Sequence, residues 1–104
     1  MSTFDDRENA FEAKFAHDEE MNFRAVARRN KLVGLWAAGL LGKSEGEAED
    51  YAKEVIRADF EEAGHDDVVR KLMADLGSHA SEDEIRAQMD AMLSEAKAQL
   101  AAEA

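Results

Sequence analysis

The spacing of histidine and carboxylate residues offers one weak match to a chemical site. Glu62 and His65 have the Glu-x-x-His spacing of carboxylate-bridged metal sites in helical bundles. Such a site needs two copies of the motif and further inward-facing glutamates, whereas this chain has one copy, interrupted by Gly64. We therefore interpret His65 as a residue near the terminal carbonyls of a helix, and we predict no metal site.

Motifs for catalysis and for cofactor binding are missing from the sequence. It contains no Gly-x-Gly-x-x-Gly loop, no Walker A sequence and no His-Glu-x-x-His pair. It has no cysteine either, which excludes disulfides, thiolate nucleophiles and thiolate metal sites. Asp59 falls within the apolar arc of a predicted helix, where we expect it to pair with an arginine of the preceding helix. We predict that the protein is not an enzyme and has no cofactor.

Three basic residues form one flank of a predicted helix. Arg24, Arg28 and Lys31 follow i, i+4, i+7 spacing, with Trp36 further along. Arginine binds phosphate groups well, so this flank is a candidate site for weak binding of ATP or ADP. The alternative is that the flank pairs with the following segment, because residues 44–64 contain eight acids and two bases.

The overall charge limits the classes of partner. The chain has 104 residues, with 13 Lys and Arg against 24 Asp and Glu, and a formal net charge of −11. Such a charge disfavours binding to nucleic acid and to anionic membranes. No apolar run approaches the ~20 residues that span a bilayer. The first residues lack the features of a secretory signal, so we expect a cytoplasmic protein.

Helix-forming residues and clear helix boundaries predict an all-α fold. Proline is absent, and Ala, Glu, Leu, Arg and Lys dominate the sequence. Ser44 with Glu47, and Ser81 with Glu84, have capping-box spacing, and Asp66 is the expected N-cap between them. We predict helices near residues 20–41, 45–63, 66–76 and 81–101. With short links, they make residues 20–104 a small four-helix bundle that is monomeric when free.

The first nineteen residues form a separate amphipathic segment. Phe4, Phe11 and Phe15 lie within about 40° of one another on a helix. Because the segment has few large apolar residues, we predict that residues 1–19 form a flexible arm, disordered or frayed when free, which becomes helical in a partner's groove. The alternative is that the first helix starts early and these rings pack on the body. The candidate partner-binding residues are Phe4, Asp5, Asp6, Arg7, Glu8, Phe11, Glu12, Lys14 and Phe15.

Four long stretches of the sequence carry a family resemblance. Residues 4–20, 27–38, 51–55 and 58–64 resemble the zeta subunit of alphaproteobacterial F-type ATP synthases, and the resemblance extends over essentially the whole chain. It implies a four-helix regulatory protein that binds the catalytic head of the synthase and inhibits ATP hydrolysis. The link formed by residues 77–80 looks shorter than the acidic links of relatives, which concerns the body and not the arm.

The resemblance also implies a mechanism. The arm, from Phe4 to Phe15, would insert between an alpha subunit, a catalytic beta subunit and the rotating gamma subunit, and block rotation. The protein would then lie in the cytoplasm, peripherally at the inner membrane through ATP synthase. Two alternatives stay open: a nucleotide-sensing module that uses the basic flank, and a helical adaptor whose arm binds another protein.

Overall fold

Four α-helices make up the protein in a computed structural model, which describes the backbone of residues 3–60 and 64–103 and the side chains of residues 19–60 and 64–103. The helices are α1 (Thr3–Leu40), α2 (Glu45–Ala58), α3 (Asp66–Leu76) and α4 (Glu82–Glu103), and a 3-10 turn, Gly77–His79, joins the last two. No strand occurs in this part of the chain. The predicted all-α, four-helix class is confirmed.

The first two helices differ in length from the prediction. α1 begins at Thr3, so one helix includes both the segment assigned to the arm and the first helix of the body. α2 ends at Ala58, five residues before the predicted boundary, and the N–H of Phe60 bonds to the carbonyl of Arg57 (3.1 Å). The side chain of Asp59 bonds elsewhere in the fold, which accounts for the early end. Separation of the arm from the body after residue 19 stays a prediction.

Both capping boxes are confirmed. The N–H of Ser44 donates to Glu47 Oε1 (3.2 Å), and Glu84 and Ser81 bond in the same reciprocal way. The bounds predicted for α3, 66–76, are confirmed, but its N-cap was predicted wrongly. His65 is its N-cap and makes no side-chain capping bond, and Asp66 is the first helical residue. The imidazole of His65 lies at the end of α2, where its Nδ1 is 3.2 Å from the carboxylate of Asp59, the C-cap residue, and not from a terminal carbonyl as we expected.

The core lies between α1 and the other three helices. Most large apolar side chains of α2, α3 and α4 are buried, although Met73 of α3 is 40% exposed, and Trp36 packs partly buried against this core. The largest completely buried apolar side chains are Val33, Val55, Val68, Leu72, Leu76 and Ile85. These buried side chains, which come from all four helices, therefore form one common core.

The closest approach of α1 to α2 occurs at Gly34. A Cβ atom built on Gly34 would lie 2.7 Å from the Cα of Ala52 and 3.4 Å from a methyl group of Val55. Real Cβ atoms do not approach backbone atoms so closely, so the glycine permits this helix crossing. By contrast, a Cβ atom on Gly39 would meet nothing within 4 Å.

Replacement of Gly34 should therefore destabilise the bundle. We expect Gly34→Ala to lower the free energy of unfolding by about 1–3 kcal/mol, because the two helices must move apart. The matched control Gly39→Ala should be neutral, or stabilising by up to about 1 kcal/mol, since alanine favours helix. Urea unfolding of both variants tests this, and equal effects of the two substitutions would contradict the close crossing.

Tyr51 connects α2 to α3 through polar contacts. Its hydroxyl donates to Asp75 Oδ2 (2.8 Å), and the same carboxylate accepts from Lys71 Nζ (2.9 Å). Burial, together with the hydrogen bond to Asp75, raises the pKa of Tyr51 well above its usual value. Partial burial acts to raise the pKa of Asp75 as well, but the bonds from Lys71 and Tyr51 outweigh it and leave that pKa lowered.

This lowered pKa predicts a pH-dependent contribution to stability. A carboxylate whose pKa is depressed on folding stabilises the protein fully above its unfolded pKa, near 3.9, and loses this effect as the pH falls. The difference in unfolding free energy between the parent and Asp75→Asn should therefore be largest above about pH 5 and shrink towards pH 3. Denaturation at a series of pH values measures it. A constant difference would mean that the charge of Asp75 contributes nothing.

Candidate functional site

The nine predicted partner-binding residues belong to α1, the helix that also forms one side of the core. Their side chains lie outside the described residues, so their role in binding stays a prediction. The same helix is held in the body from about residue 25 onward, where Ala25, Val33 and Ala37 are buried. α1 is therefore the element that connects the candidate arm to the bundle.

The three candidate nucleotide-binding residues lie along one groove, beside Phe23, Ile56 and Leu100, in a cavity of about 370 Å³. Two of them already have anionic partners. Arg28 donates to both carboxylate oxygens of Glu103 (2.8 and 3.2 Å) and to Gln99 Oε1 (2.9 Å). Arg24 pairs with Glu20 (2.6 Å), and Lys31 is exposed.

These partners correct the expected pairing of the basic flank. Arg28 pairs with α4 and Arg24 with its own helix, whereas we expected both to pair with the acidic segment of residues 44–64. The reason is that the C-terminal end of α4 packs beside α1 near Arg28. The hydrogen bond to Glu103 raises the pKa of Arg28, and the same bond lowers the pKa of Glu103.

A buried polar cluster joins α1 to the connection between α2 and α3. Arg29 is 4% exposed and Asn30 only 1%. Arg29 donates to Asn30 Oδ1 through Nη2 (2.8 Å) and Nε (3.1 Å), and Asn30 Nδ2 donates to Asp59 Oδ2 (2.9 Å). Arg29 also lies 3.8 Å from Asp59, which confirms the expected pairing of Asp59 with an arginine of the first helix.

His65 completes the cluster. Its Nδ1 lies 3.1 Å from Arg29 Nη2 and 3.2 Å from Asp59 Oδ1. One ring nitrogen cannot accept from Arg29 and donate to Asp59 at the same time, so the two contacts exclude each other chemically. Burial lowers the pKa of Arg29, while the carboxylates of Asp59, Asp90 and Asp67 act in the opposite direction. Of these carboxylates, Asp59 makes the ion pair with the guanidinium.

Sequence reasoning found Asp59 but missed Arg29 and Asn30. Arg29 stands four residues before Val33 and four after Ala25, so it shares the buried side of α1. This spacing was the sequence signal that could have predicted the burial of Arg29. Among the described side chains, no group of three His, Asp or Glu residues is suited to hold a metal ion. Glu62 itself lies outside the described residues.

Loss of the Arg29 side chain should destabilise the fold strongly. We expect Arg29→Met to cost about 3 kcal/mol, because Asn30 Oδ1 loses its donor and Asp59 loses its ion-pair partner. The matched substitution Arg24→Met removes an exposed ion pair and should cost about 0.5 kcal/mol or less. Urea unfolding compares the two. Similar costs would show that burial of Arg29 is not essential to the fold.

The fold and the side chains define a small helical protein built around one long helix. The family model of the ATPase inhibitor subunit zeta matches residues 1–99, and the chain belongs to this family. The family is therefore that of a regulatory inhibitor subunit, as the sequence resemblance implied. No helix in the described part of the chain is long and apolar enough to cross a membrane.

One solved structure is similar over most of the chain. It was determined by solution NMR, is 56% identical in sequence and has a TM-score of 0.76. The match covers 81% of this chain and 99% of that one. A search of curated proteins finds no significant match.

Proposed function

We propose that the protein inhibits ATP hydrolysis by F-type ATP synthase through its N-terminal arm. The arm binds as a helix between an alpha subunit, a catalytic beta subunit and the gamma subunit of the catalytic head, and it blocks rotation in the hydrolytic direction. The protein then acts in the cytoplasm, peripherally at the inner membrane. The observation that carries the proposal is the match to the inhibitor family over residues 1–99, which include the arm.

The continuity of α1 supports a helical arm. Starting a new helix is costly, whereas adding turns to an existing helix is not, because nucleation is the unfavourable step. α1 runs from Thr3 to Leu40, and its second half is packed in the body. An arm that extends this helix into a groove therefore avoids the cost of nucleation.

The energetics of the arm call for additional contacts from the body. Burial of three phenylalanine side chains contributes roughly 5–9 kcal/mol. Ordering of about fifteen backbone residues costs roughly 1–2 kcal/mol each if none is already helical. Since the cost exceeds the gain, the arm alone should bind weakly. The charged residues of the arm, such as Asp5, Asp6 and Arg7, orient it against groups of opposite charge.

Removal of one arm phenylalanine should weaken inhibition without unfolding the body. We expect Phe11→Ala to reduce the inhibitory potency more than tenfold, because the variant loses a buried ring worth more than about 1.4 kcal/mol. The control is Asn9→Ala, which lies on the opposite side of the helix. Hydrolysis of ATP by purified heads depleted of this subunit is the assay, with thermal melting of each variant beside it.

Two results would contradict the proposed mechanism. One is wild-type inhibition by Phe11→Ala. The other is full inhibition by a chain that lacks residues 1–19. Binding to the head without inhibition would instead favour the adaptor alternative.

Nucleotide binding is the second candidate function, and the groove beside Arg24, Arg28 and Lys31 favours it. The aromatic ring of Phe23 lines the same groove and could stack on a base. Against it, Arg28 and Arg24 already bond to carboxylates, so a phosphate must displace Glu103 or Glu20. Titration of the full chain with ATP and ADP tests this function. Saturable spectral changes would support nucleotide binding, and their absence would exclude it.

A further inference from the structure

Two phenylalanine rings meet on the surface of the body. Phe23 on α1 is 60% exposed, and Phe60, just after α2, is 66% exposed. Their centroids lie 6.1 Å apart, with 43° between the ring planes. Among the described residues they are the most exposed of the large apolar side chains, although the core lies close by. Their position points to a contact made with another molecule.

A small cavity lies beside these rings. Its volume is about 250 Å³, and its other walls include Val26, Ile56, Asn30, Asp59 and His65. This volume is below the ~300–1,000 Å³ typical of sites for small molecules. The cavity has room for one long side chain, with apolar walls and a polar floor.

The lining of the cavity includes one carboxylate, that of Asp59. The side chain of Asp59 remains 12% exposed, and its Oδ2 accepts from Asn30. When His65 Nδ1 accepts from Arg29, the other oxygen, Oδ1, receives no hydrogen from the imidazole and can accept from a ligand. Arg29 Nη2 lies 3.8 Å from Asp59 Oδ2, beyond hydrogen-bond distance, so it does not occupy the accepting positions of the carboxylate.

We propose that this cavity, formed by Phe23, Phe60 and Asp59, receives an arginine side chain of the partner protein. A planar guanidinium stacks well on aromatic faces and donates to carboxylate oxygens, and arginine is favoured over lysine for both reasons. The net charge of −11 on the chain favours such a basic partner. Naming the partner as the ATP synthase head rests on the function proposed above. The contact would supply the binding energy that the arm lacks.

The first experiment tests the cavity without the synthase. The full chain, labelled with ¹⁵N, is titrated with N-acetylarginine amide and, separately, with the neutral isostere N-acetylcitrulline amide. We expect saturable shifts of the Phe60, Gly64 and His65 amides with the arginine probe, and an affinity for the citrulline probe at least about tenfold weaker. Equal binding of the two probes, or no saturable shift at these amides, would overturn the proposal.

Variants locate the binding groups. Phe60→Ala and the isosteric Asp59→Asn should each weaken binding of the arginine probe several-fold, while Met73→Ala, another exposed apolar residue, should leave it unchanged. Amide spectra show whether each variant is folded. Tighter binding of N-acetylleucine amide than of the arginine probe would mean that the cavity takes an apolar side chain, and would refute the assignment.

The second experiment uses the catalytic head. Phe60→Ala should weaken inhibition of ATP hydrolysis about three- to tenfold with the arm intact, and Met73→Ala should not. Unchanged inhibition by Phe60→Ala would exclude this contact with the head. If the parent chain itself fails to inhibit, the proposed function fails, while the probe titration still decides whether the cavity binds arginine.

Discussion

The rest of the fold depends on the buried guanidinium of Arg29, which lies where α1 meets the connection between α2 and α3. A charge that is 4% exposed must be surrounded by hydrogen-bond partners and opposite charges, or the fold would lose several kcal/mol. Asn30 and Asp59 meet this need, and His65 faces the same group. Asp59 is the C-cap of α2 and His65 the N-cap of α3, so one arginine on α1 contacts the residues at both helix boundaries. Close packing at Gly34 then aligns α2 along α1 one turn further on.

Local signals predicted much of this architecture. Capping boxes at Ser44 and Ser81 act over three residues, and the apolar stripes act along single helices, so both are readable from sequence. Partner choice across helices is not local. Arg24, Arg28 and Arg29 look alike in sequence, yet one pairs within α1, one with Glu103 and one is buried. The spacing of Arg29 from Ala25 and Val33 indicates which arginine is buried, but the partner of each arginine depends on how α4 and the α2–α3 connection cross α1. The pairing of Asp59 was predictable because its register placed a carboxylate inside an apolar arc.

The candidate site also has one part that the sequence predicted and another that it did not. The phenylalanine spacing of the arm and its family resemblance were readable from the chain, because both are linear patterns. The cavity beside Phe23 and Phe60 was not, since it combines residues 37 positions apart with a carboxylate held in place by Asn30. The polar lining of the cavity, Asn30, Asp59 and His65, also belongs to the buried cluster around Arg29. The residues that hold α2 and α3 on α1 are thus those that keep the carboxylate of Asp59 oriented, which preorganises the cavity without a separate scaffold.

The arm and the cavity would act together because α1 carries parts of both. Phe11 and Phe23 are twelve residues apart, which corresponds to roughly 18 Å along an α-helix. When two contacts sit on one helix, the first to form holds the second near its own target, so a modest contact at each can add up to firm binding. A flexible linker at the same spacing would lose part of this gain through its larger conformational freedom. A long uninterrupted helix, from Thr3 to Leu40 without proline, would therefore suit the inhibitor proposed above, in which contacts of the body add to a weakly binding arm.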